Sequence, residues 1–293
     1  IKPNVIITLT DNLIMFYKFK KYFPEVKFLS IQLGYRTEHR DWLKKIKEKK
    51  LCKKHLKSDI YFTLNKAYGK IIAEYIDCKT IDVGSIKNNL IQLKKTKKKN
   101  SLLFISQFRY DKYVYHSEET FFLIEKNLLP KINKYCEENK LKLNILGASL
   151  KKAEEEKNYY TKILNSNNWN FLKKNLKKNN YTAVDEFENI IFIDSTLGYE
   201  AAGRGKKIAA FSSRQITKKG PPELFAWANK KKNKDFYYSD STSEHEVKRV
   251  LNNVTKCSEK KWKEIFLPKV NIFCPYKKNN KKFREKIKQI INK

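Results

Sequence analysis

The chain has 293 residues and carries 64 Lys and Arg against 31 Asp and Glu, a net charge of +33. Its length suits one large domain or two ordinary ones, and an apolar share of 41% is enough for packed cores, which excludes a wholly disordered chain. No apolar run approaches the eighteen or so residues that span a bilayer. Five Cys stand singly without a CxxC pair, and four His show no HExxH spacing, so a reducing compartment and no disulfide framework or protein-held metal are expected.

The N-terminus, IKPNVIITLTDN, has no small-residue cleavage pattern of a signal peptide. It begins without Met and enters a strand almost at once, so a missing N-terminal portion is expected. The first strands are predicted at VIITL (Val5 to Leu9), VKFLSIQ (Val26 to Gln32) and DIYFTL (Asp59 to Leu64). QLKKTKKKN, Gln92 to Asn100, reads as a charged linker, or else an ordinary surface loop.

A second set follows directly: SLLFISQF (Ser101 to Phe108), KLNILG (Lys142 to Gly147), IIFID (Ile190 to Asp194), KKIAAF (Lys206 to Phe211) and DFYYSD (Asp235 to Asp240). These short, nearly continuous apolar runs suit strands covered on both faces. Helix-sized segments separate them. In ETFFLIEKNLLPKINKYCEEN, Phe121, Ile124, Leu128, Ile132 and Tyr135 share a face, with Pro130 as a kink. The last helix, KKFREKIKQIINK, is amphipathic through Phe283, Ile287 and Ile290, and could pack on the first domain or cap the second.

Strand, helix, strand in repetition predicts an α/β protein with two Rossmann-like domains of parallel sheet and a cleft between them. The expected boundaries are 1–91 for an incomplete first domain, 92–100 for the linker, 101–276 for the second domain and 277–293 for the terminal helix. In such sheets ligands bind beyond the carboxyl ends of the strands.

FIDSTLGYEAAGRGKKIAAF, Phe192 to Phe211, stands at such an end. A buried strand runs into the turn Ser195-Thr196-Leu197-Gly198, then a short helix from Tyr199 to Arg204. Hydroxyls and a Gly at a helix N-terminus make an anion site, suited to the phosphates of a nucleotide. Glu200 could accept hydrogen bonds from ribose hydroxyls. The alternative is a plain helix cap at Thr196, although the capping box would need Glu or Gln where Tyr199 stands. Asp194 reads as a turn-former.

IDSTLGYEAAGRGKK resembles the signature of a family of surface-polysaccharide (O-antigen or capsule) biosynthesis proteins, glycosyltransferase-like with the two-domain GT-B architecture. TDN (Thr10 to Asn12), FLSIQLGYR (Phe28 to Arg36), FISQFR (Phe104 to Arg109) and NILGAS (Asn144 to Ser149) resemble further segments of it. The second of these usually reads IQNG, and Leu33 replaces its Asn. The resemblance covers most of Asn4 to Phe211 and weakens to GPPELFAW beyond Ile216.

The resemblance implies a nucleotide-sugar donor bound on the second domain and an acceptor on the first, with no bound cofactor or catalytic metal. Ser106 and Arg109, after the first strand of the second domain, and Gly147 and Ser149, after the second, should then edge the same cleft as Ser195, Thr196, Gly198 and Glu200. An inverting transfer needs a base. Asp11, in the loop after VIITLT, and His39, in the loop after FLSIQLGY, are the candidates, against the readings of a helix cap and solvated surface. FRYDKYVYH, Phe108 to His116, could stack on sugar or base rings, or form an interface wall.

Of the 64 basic residues seven are Arg and 57 Lys, the pattern of an AT-rich coding sequence. Nucleic-acid readers lean on Arg, so nucleic acid is not the expected partner. An anionic membrane surface suits Lys better. The expected protein is a cytoplasmic glycosyltransferase, peripheral at the inner membrane face, acting on a lipid-linked saccharide acceptor. The rivals are a sugar-nucleotide epimerase, an alcohol-phosphate transferase, and a non-enzymatic basic binder of nucleic acid or membrane.

Overall fold

The computed structural model describes residues 3–35, 42–111, 122–175, 179–211 and 234–292. These form two compact units, one holding the described residues up to Gln92 with those from Pro268 on, the other the described residues from Leu93 to Leu267.

The first unit is a parallel sheet in chain order: β1 (Val5–Thr8), β2 (Lys27–Ile31), β3 (Lys57–Thr63) and β4 (Asp77–Asp82). Alternation along the strands splits its core in two. Phe28 and Tyr61 face a cluster with Phe16 and Tyr17 of α1 (Ile14–Phe19), Trp42 and Ile46 of α2 (Trp42–Glu48), and Tyr68 and Ile72 of α3 (Lys66–Tyr75). Their neighbours Leu29, Ile60 and Phe62 face the opposite cluster. That second face is covered by the C-terminal helix (Lys281–Ile291), through Phe283, Ile287 and Ile290. The rings of Phe62 and Phe283 meet edge-on with centroids 4.9 Å apart. Of the two sequence-based options for this helix, the structure takes the first domain.

The second unit has seven strands in the order β10-β11-β9-β8-β5-β6-β7. These are β5 (Lys98–Ile105), β6 (Lys142–Leu146), β7 (Trp169–Leu172), β8 (Phe187–Phe192), β9 (Lys207–Phe211), β10 (Lys234–Asp235) and β11 (Tyr238–Ser239). All neighbouring pairs are parallel except β10 with β11. A short helix, α4 (Ile86–Leu90), follows β4 in the first unit; in the second the connections include α5 (Leu123–Glu138), α6 (Ala153–Leu164), α7 (Asn180–Glu186) and α8 (Thr196–Gly203), with α9 (Glu244–Thr255) and α10 (Glu259–Phe266) closing the unit.

Three expectations are corrected. The charged stretch 92–100 is not all linker, because β5 begins at Lys98, paired with Phe187. Lys98 keeps its ammonium group on an acid and a ring face, with Nζ 3.7 Å from Glu186 and 4.6 Å from the Phe187 ring centroid. Residues 268–276 belong with the first unit, where Asn65 Nδ2 donates to Phe273 O at 2.7 Å and Tyr276 donates to Ile91 O at 3.2 Å. DFYYSD is a hairpin of two short strands, not one strand. Two strands, β4 and β7, had no prediction, and both are sheet edges. An edge strand buries little, so DCKTID and WNFL lack the apolar run that marks a central one.

The hairpin is fixed by a rare Arg. Arg249 of α9 donates to both carboxylate oxygens of Glu246, at 2.8 to 3.1 Å, and to the carbonyls of Asp235 at 2.9 Å and Tyr238 at 3.1 Å. The Arg249 hydrogen bonds draw the Glu246 carboxyl down to about 2. Its contribution is therefore present above the ordinary carboxylate range and lost as pH falls toward 2. Because the pair lies near the surface and water screens it, we expect about 1–2 kcal/mol of stability to disappear between pH 5 and pH 2. Glu246→Gln should remove that part of the slope in urea unfolding measured across the same range.

Candidate functional site

Strand β5 lies between β6 and β8. The chain moves outward from β5 through β6 to β7, then returns to the other side of β5 as β8. The connections leaving β5 and β8 therefore diverge to opposite faces, and a crevice opens at the carboxyl ends of those two strands. The Gln107 side chain crosses it, accepting from the Asp194 amide at 3.3 Å.

On the β8 side, the helix begins three residues before the predicted Tyr199. Ser195, not Thr196, is the N-cap, with extended backbone and no side-chain capping bond, and Thr196 opens the first turn. Gly198 is thus inside the helix. A Cβ there would stand 2.1 Å from Cγ of the buried Phe192 ring, so the glycine is required by packing against β8. Tyr199 completes the contact, its ring edge-on to Phe192 at 5.3 Å.

Glu200 is buried, and its Oε1 accepts from the Tyr181 hydroxyl of α7 at 3.0 Å. The face of that same Tyr181 ring carries the Arg204 guanidinium, 5.5 Å from its centroid. Arg204 in turn forks onto Asp185, Nε to Oδ1 at 2.8 Å and Nη2 to Oδ2 at 2.5 Å, with both side chains essentially inaccessible. The amide of Lys94 donates to Asp185 Oδ2 at 2.9 Å and Lys206 Nζ to the Asp185 carbonyl at 2.6 Å. Burial lowers the Lys206 pKa. Tyr181 and Asp185, four residues apart on α7, thus hold α8 and its acid in place.

On the β5 and β6 side, Glu156 of α6 is the organising group. Its Oε1 accepts from Ser106 Oγ at 2.5 Å and from the Ala148 amide at 2.8 Å, and its Oε2 from the Ser149 amide at 2.8 Å. Tyr160, one turn on, lies 2.7 Å from Ser106 Oγ. Burial raises the Glu156 pKa, against the pull of these donors and of the Lys174 charge. Gly147 leaves room for this arrangement, since a Cβ would meet the Phe171 ring at 2.8 Å and Glu156 Oε2 at 3.4 Å. Ser149 Oγ accepts from the Lys152 amide at 2.9 Å.

The structure therefore brings Ser106, Gly147 and Ser149 together around Glu156. It sets Ser195, at the N-cap, and Thr196, Gly198 and Glu200, on α8, across the β5–β8 crevice. Arg109 is exposed three residues beyond Ser106. Phe108 packs inward on Phe122 and Tyr159, at 5.7 and 5.4 Å, so it is a core residue and not a ring platform, and residues 112–116 of that stretch lie outside the described residues.

Asp11 belongs to the first unit. It is fully buried, its Oδ2 accepting from Tyr61 at 2.9 Å and its carbonyl from Tyr17 at 2.6 Å. It does not cap α1, whose N-cap is Leu13. His39 lies outside the described residues. Among the described residues no group of His, Cys, Asp and Glu could hold a metal ion, and no helix is long and apolar enough to cross a membrane.

The sequence reading missed Gln107, Glu156, Tyr160, Tyr181 and Asp185. Glu156 did leave a trace, standing on the stripe Ala153, Glu156, Tyr160, Leu164, the buried face of α6. An acid at a helix's apolar period is a signal in itself.

Comparison with known families decides the lineage. The family described as "putative O-antigen biosynthesis protein" matches residues 29–291. This chain belongs to that family. A comparison with curated proteins found no match. Among solved structures, the chain is similar to a "putative UDP-N-acetylglucosamine 2-epimerase" from Listeria monocytogenes, with a TM-score of 0.58 and 11% identity, covering 99% of this chain and 75% of that one. The UDP-GlcNAc 2-epimerase from Neisseria meningitidis, bound to UDP-GlcNAc, gives 0.56 at 10% identity, over 99% and 76%. A variant of the wall teichoic acid polymerase TagF gives 0.55 at 11% identity, over 99% and 72%. At such identities the likeness is one of fold, and the fold of this O-antigen family member is GT-B-like, with two parallel α/β sheets.

Two stability predictions follow from the site's supports. Asp185→Asn leaves the Arg204 charge buried without its partner and should cost about 3–5 kcal/mol in urea unfolding. Gly198→Ala should cost about 1–3 kcal/mol by overpacking. Combined with Phe192→Leu, which removes the facing ring atoms, that cost should fall, and a double-mutant cycle reads the coupling.

Proposed function

We propose that this O-antigen family member is a glycosyltransferase. It would take a sugar from a nucleotide-activated donor bound in the second unit and pass it to a lipid-linked or growing surface-polysaccharide acceptor at the inner membrane face. The observation that carries the reading is the crevice at the carboxyl ends of β5 and β8, onto which the first turn of α8 opens. The positive end of that helix, with the Ser195 and Thr196 hydroxyls, suits a diphosphate. Glu200, held by Tyr181, suits a ribose. Arg109 would add a cation that can grip a phosphate with two donors.

No metal or cofactor is invoked, and leaving-group charge would fall to the helix terminus and Arg109. The base on the acceptor side would come from His39, or from Asp11 once Tyr61 releases it. A second reading, a sugar-nucleotide epimerase, is favoured by the two epimerases that share the fold. The readings differ in product, because an epimerase alters the free nucleotide sugar with no acceptor present.

The test is a thermal-shift and calorimetry series with UDP, CMP, CDP, GDP and dTDP. One nucleotide should raise the melting temperature of the wild type by binding the folded state. Glu200→Gln keeps an oxygen for the Tyr181 hydroxyl while losing the charge, and should weaken binding about tenfold or more without lowering the unliganded melting temperature. If no nucleotide stabilises the protein, or Glu200→Gln binds as well as wild type, the assignment falls.

A further inference from the structure

Two helices follow strand ends that flank the crevice, α6 after β6 and α8 after β8, and their first turns differ in charge. α6 opens with Glu154, Glu155 and Glu156, whereas the first turn of α8 holds no acid. A helix N-terminus attracts anions, so α6 brings its own and α8 does not.

The loop before α6 is spent in the same way. The Gly147 amide donates to the Leu172 carbonyl at 3.0 Å. The amides of Ala148 and Ser149 donate to the Glu156 carboxylate, both at 2.8 Å, and Ser149 Oγ turns back to accept from the Lys152 amide at 2.9 Å. A hydroxyl has one hydrogen and two lone pairs. Ser106 gives its hydrogen to Glu156 at 2.5 Å and accepts from the Phe108 amide at 3.1 Å and from the Tyr160 hydroxyl at 2.7 Å. The groups on this side that would suit a phosphate therefore already hold one buried carboxylate.

Three donors converging on two oxygens is the arrangement of an ionised carboxylate. Lys174, which donates to the Ala148 carbonyl at 3.2 Å, sets a positive charge beside it. A second anion entering this loop would find its amides taken and would face a like charge at low dielectric.

We propose that Glu156 is a built-in anion that fills the amide nest of the β6–α6 loop, and that it turns the phosphates of a bound nucleotide away from the β5–β6 side and onto the first turn of α8. Glu156 is thus a positioning residue, acting through the loop it closes. The inference rests on the donor reading above for its ligand, but the filled nest can be tested without a nucleotide.

The test is amide-resolved hydrogen exchange on the full chain, at a pH well above the carboxylate range, with inorganic pyrophosphate as the probe. A local readout is needed because a chain of net charge +33 gathers polyanions over its whole surface. In the wild type the Ala148 and Ser149 amides should exchange slowly, and saturating pyrophosphate should not slow them further. In Glu156→Ala both should exchange at least about tenfold faster, and pyrophosphate should restore protection. Glu156→Gln, nearly the same in shape, carries this arm if the alanine variant does not fold. It loses the charge and one acceptor, and should show the same gain in smaller measure.

Extra protection of these two amides by pyrophosphate in the wild type would overturn the proposal, because the nest would then be open to a ligand. So would folded variants whose released amides gain nothing from pyrophosphate, since Glu156 would then hold the loop for structure alone. The nucleotide series decides the donor reading separately. A nucleotide that binds while Ala148 and Ser149 keep their exchange rates supports both. Absence of any nucleotide shift sinks the donor reading and the direction given to its phosphates, while the filled nest stands or falls on pyrophosphate.

Discussion

A parallel sheet that doubles back beside its first strand must leave a gap where its connections part company. In the second unit that place is the β5–β8 pair, and the surrounding structure is arranged to keep it open and fixed. On one side, Glu156 gathers the ends of β5 and β6 by accepting one hydroxyl and two amide hydrogens. On the other, the Asp185–Arg204 fork and Tyr181 clamp α8 to α7. Each support is a buried carboxylate whose removal would leave donors without acceptors, so the crevice is rigid for electrostatic reasons as much as for packing.

Lysines spread over solvent faces, where several make exposed pairs of small energetic weight, such as Lys263 with Glu259 and Lys44 with Glu48. Two arginines among the described residues serve as planar forks, Arg204 on Asp185 and Arg249 on Glu246 and two carbonyls. Arg109 is exposed in the loop after β5, three residues beyond Ser106.

The glycines carry a related lesson. In sequence, Gly198 looks like room for a phosphate. In the fold its open side is filled by Phe192, and the helix starts ahead of it. Any anion site at this terminus is therefore made by Ser195, Thr196 and the helix's positive end, with Gly198 setting how closely the helix lies on β8.

The sequence by itself determined the α/β class, the two strand sets, the central strands and the turn after β8, because buried strands need continuous apolar runs and helices need their own period. It also placed Ser106, Gly147 and Ser149 at strand ends. It could not show β4 and β7, which as edge strands need little apolar burial. Nor could it show where Lys98 joins a strand or that residues 268–276 return to the first unit. Only tertiary structure decided the strand order, since order depends on which crossovers close a sheet, and with it the location of the crevice. Only tertiary structure chose Glu156 from the run Glu154, Glu155 and Glu156, and paired Asp185 with Arg204, because such choices rest on which side chain ends up facing a buried donor.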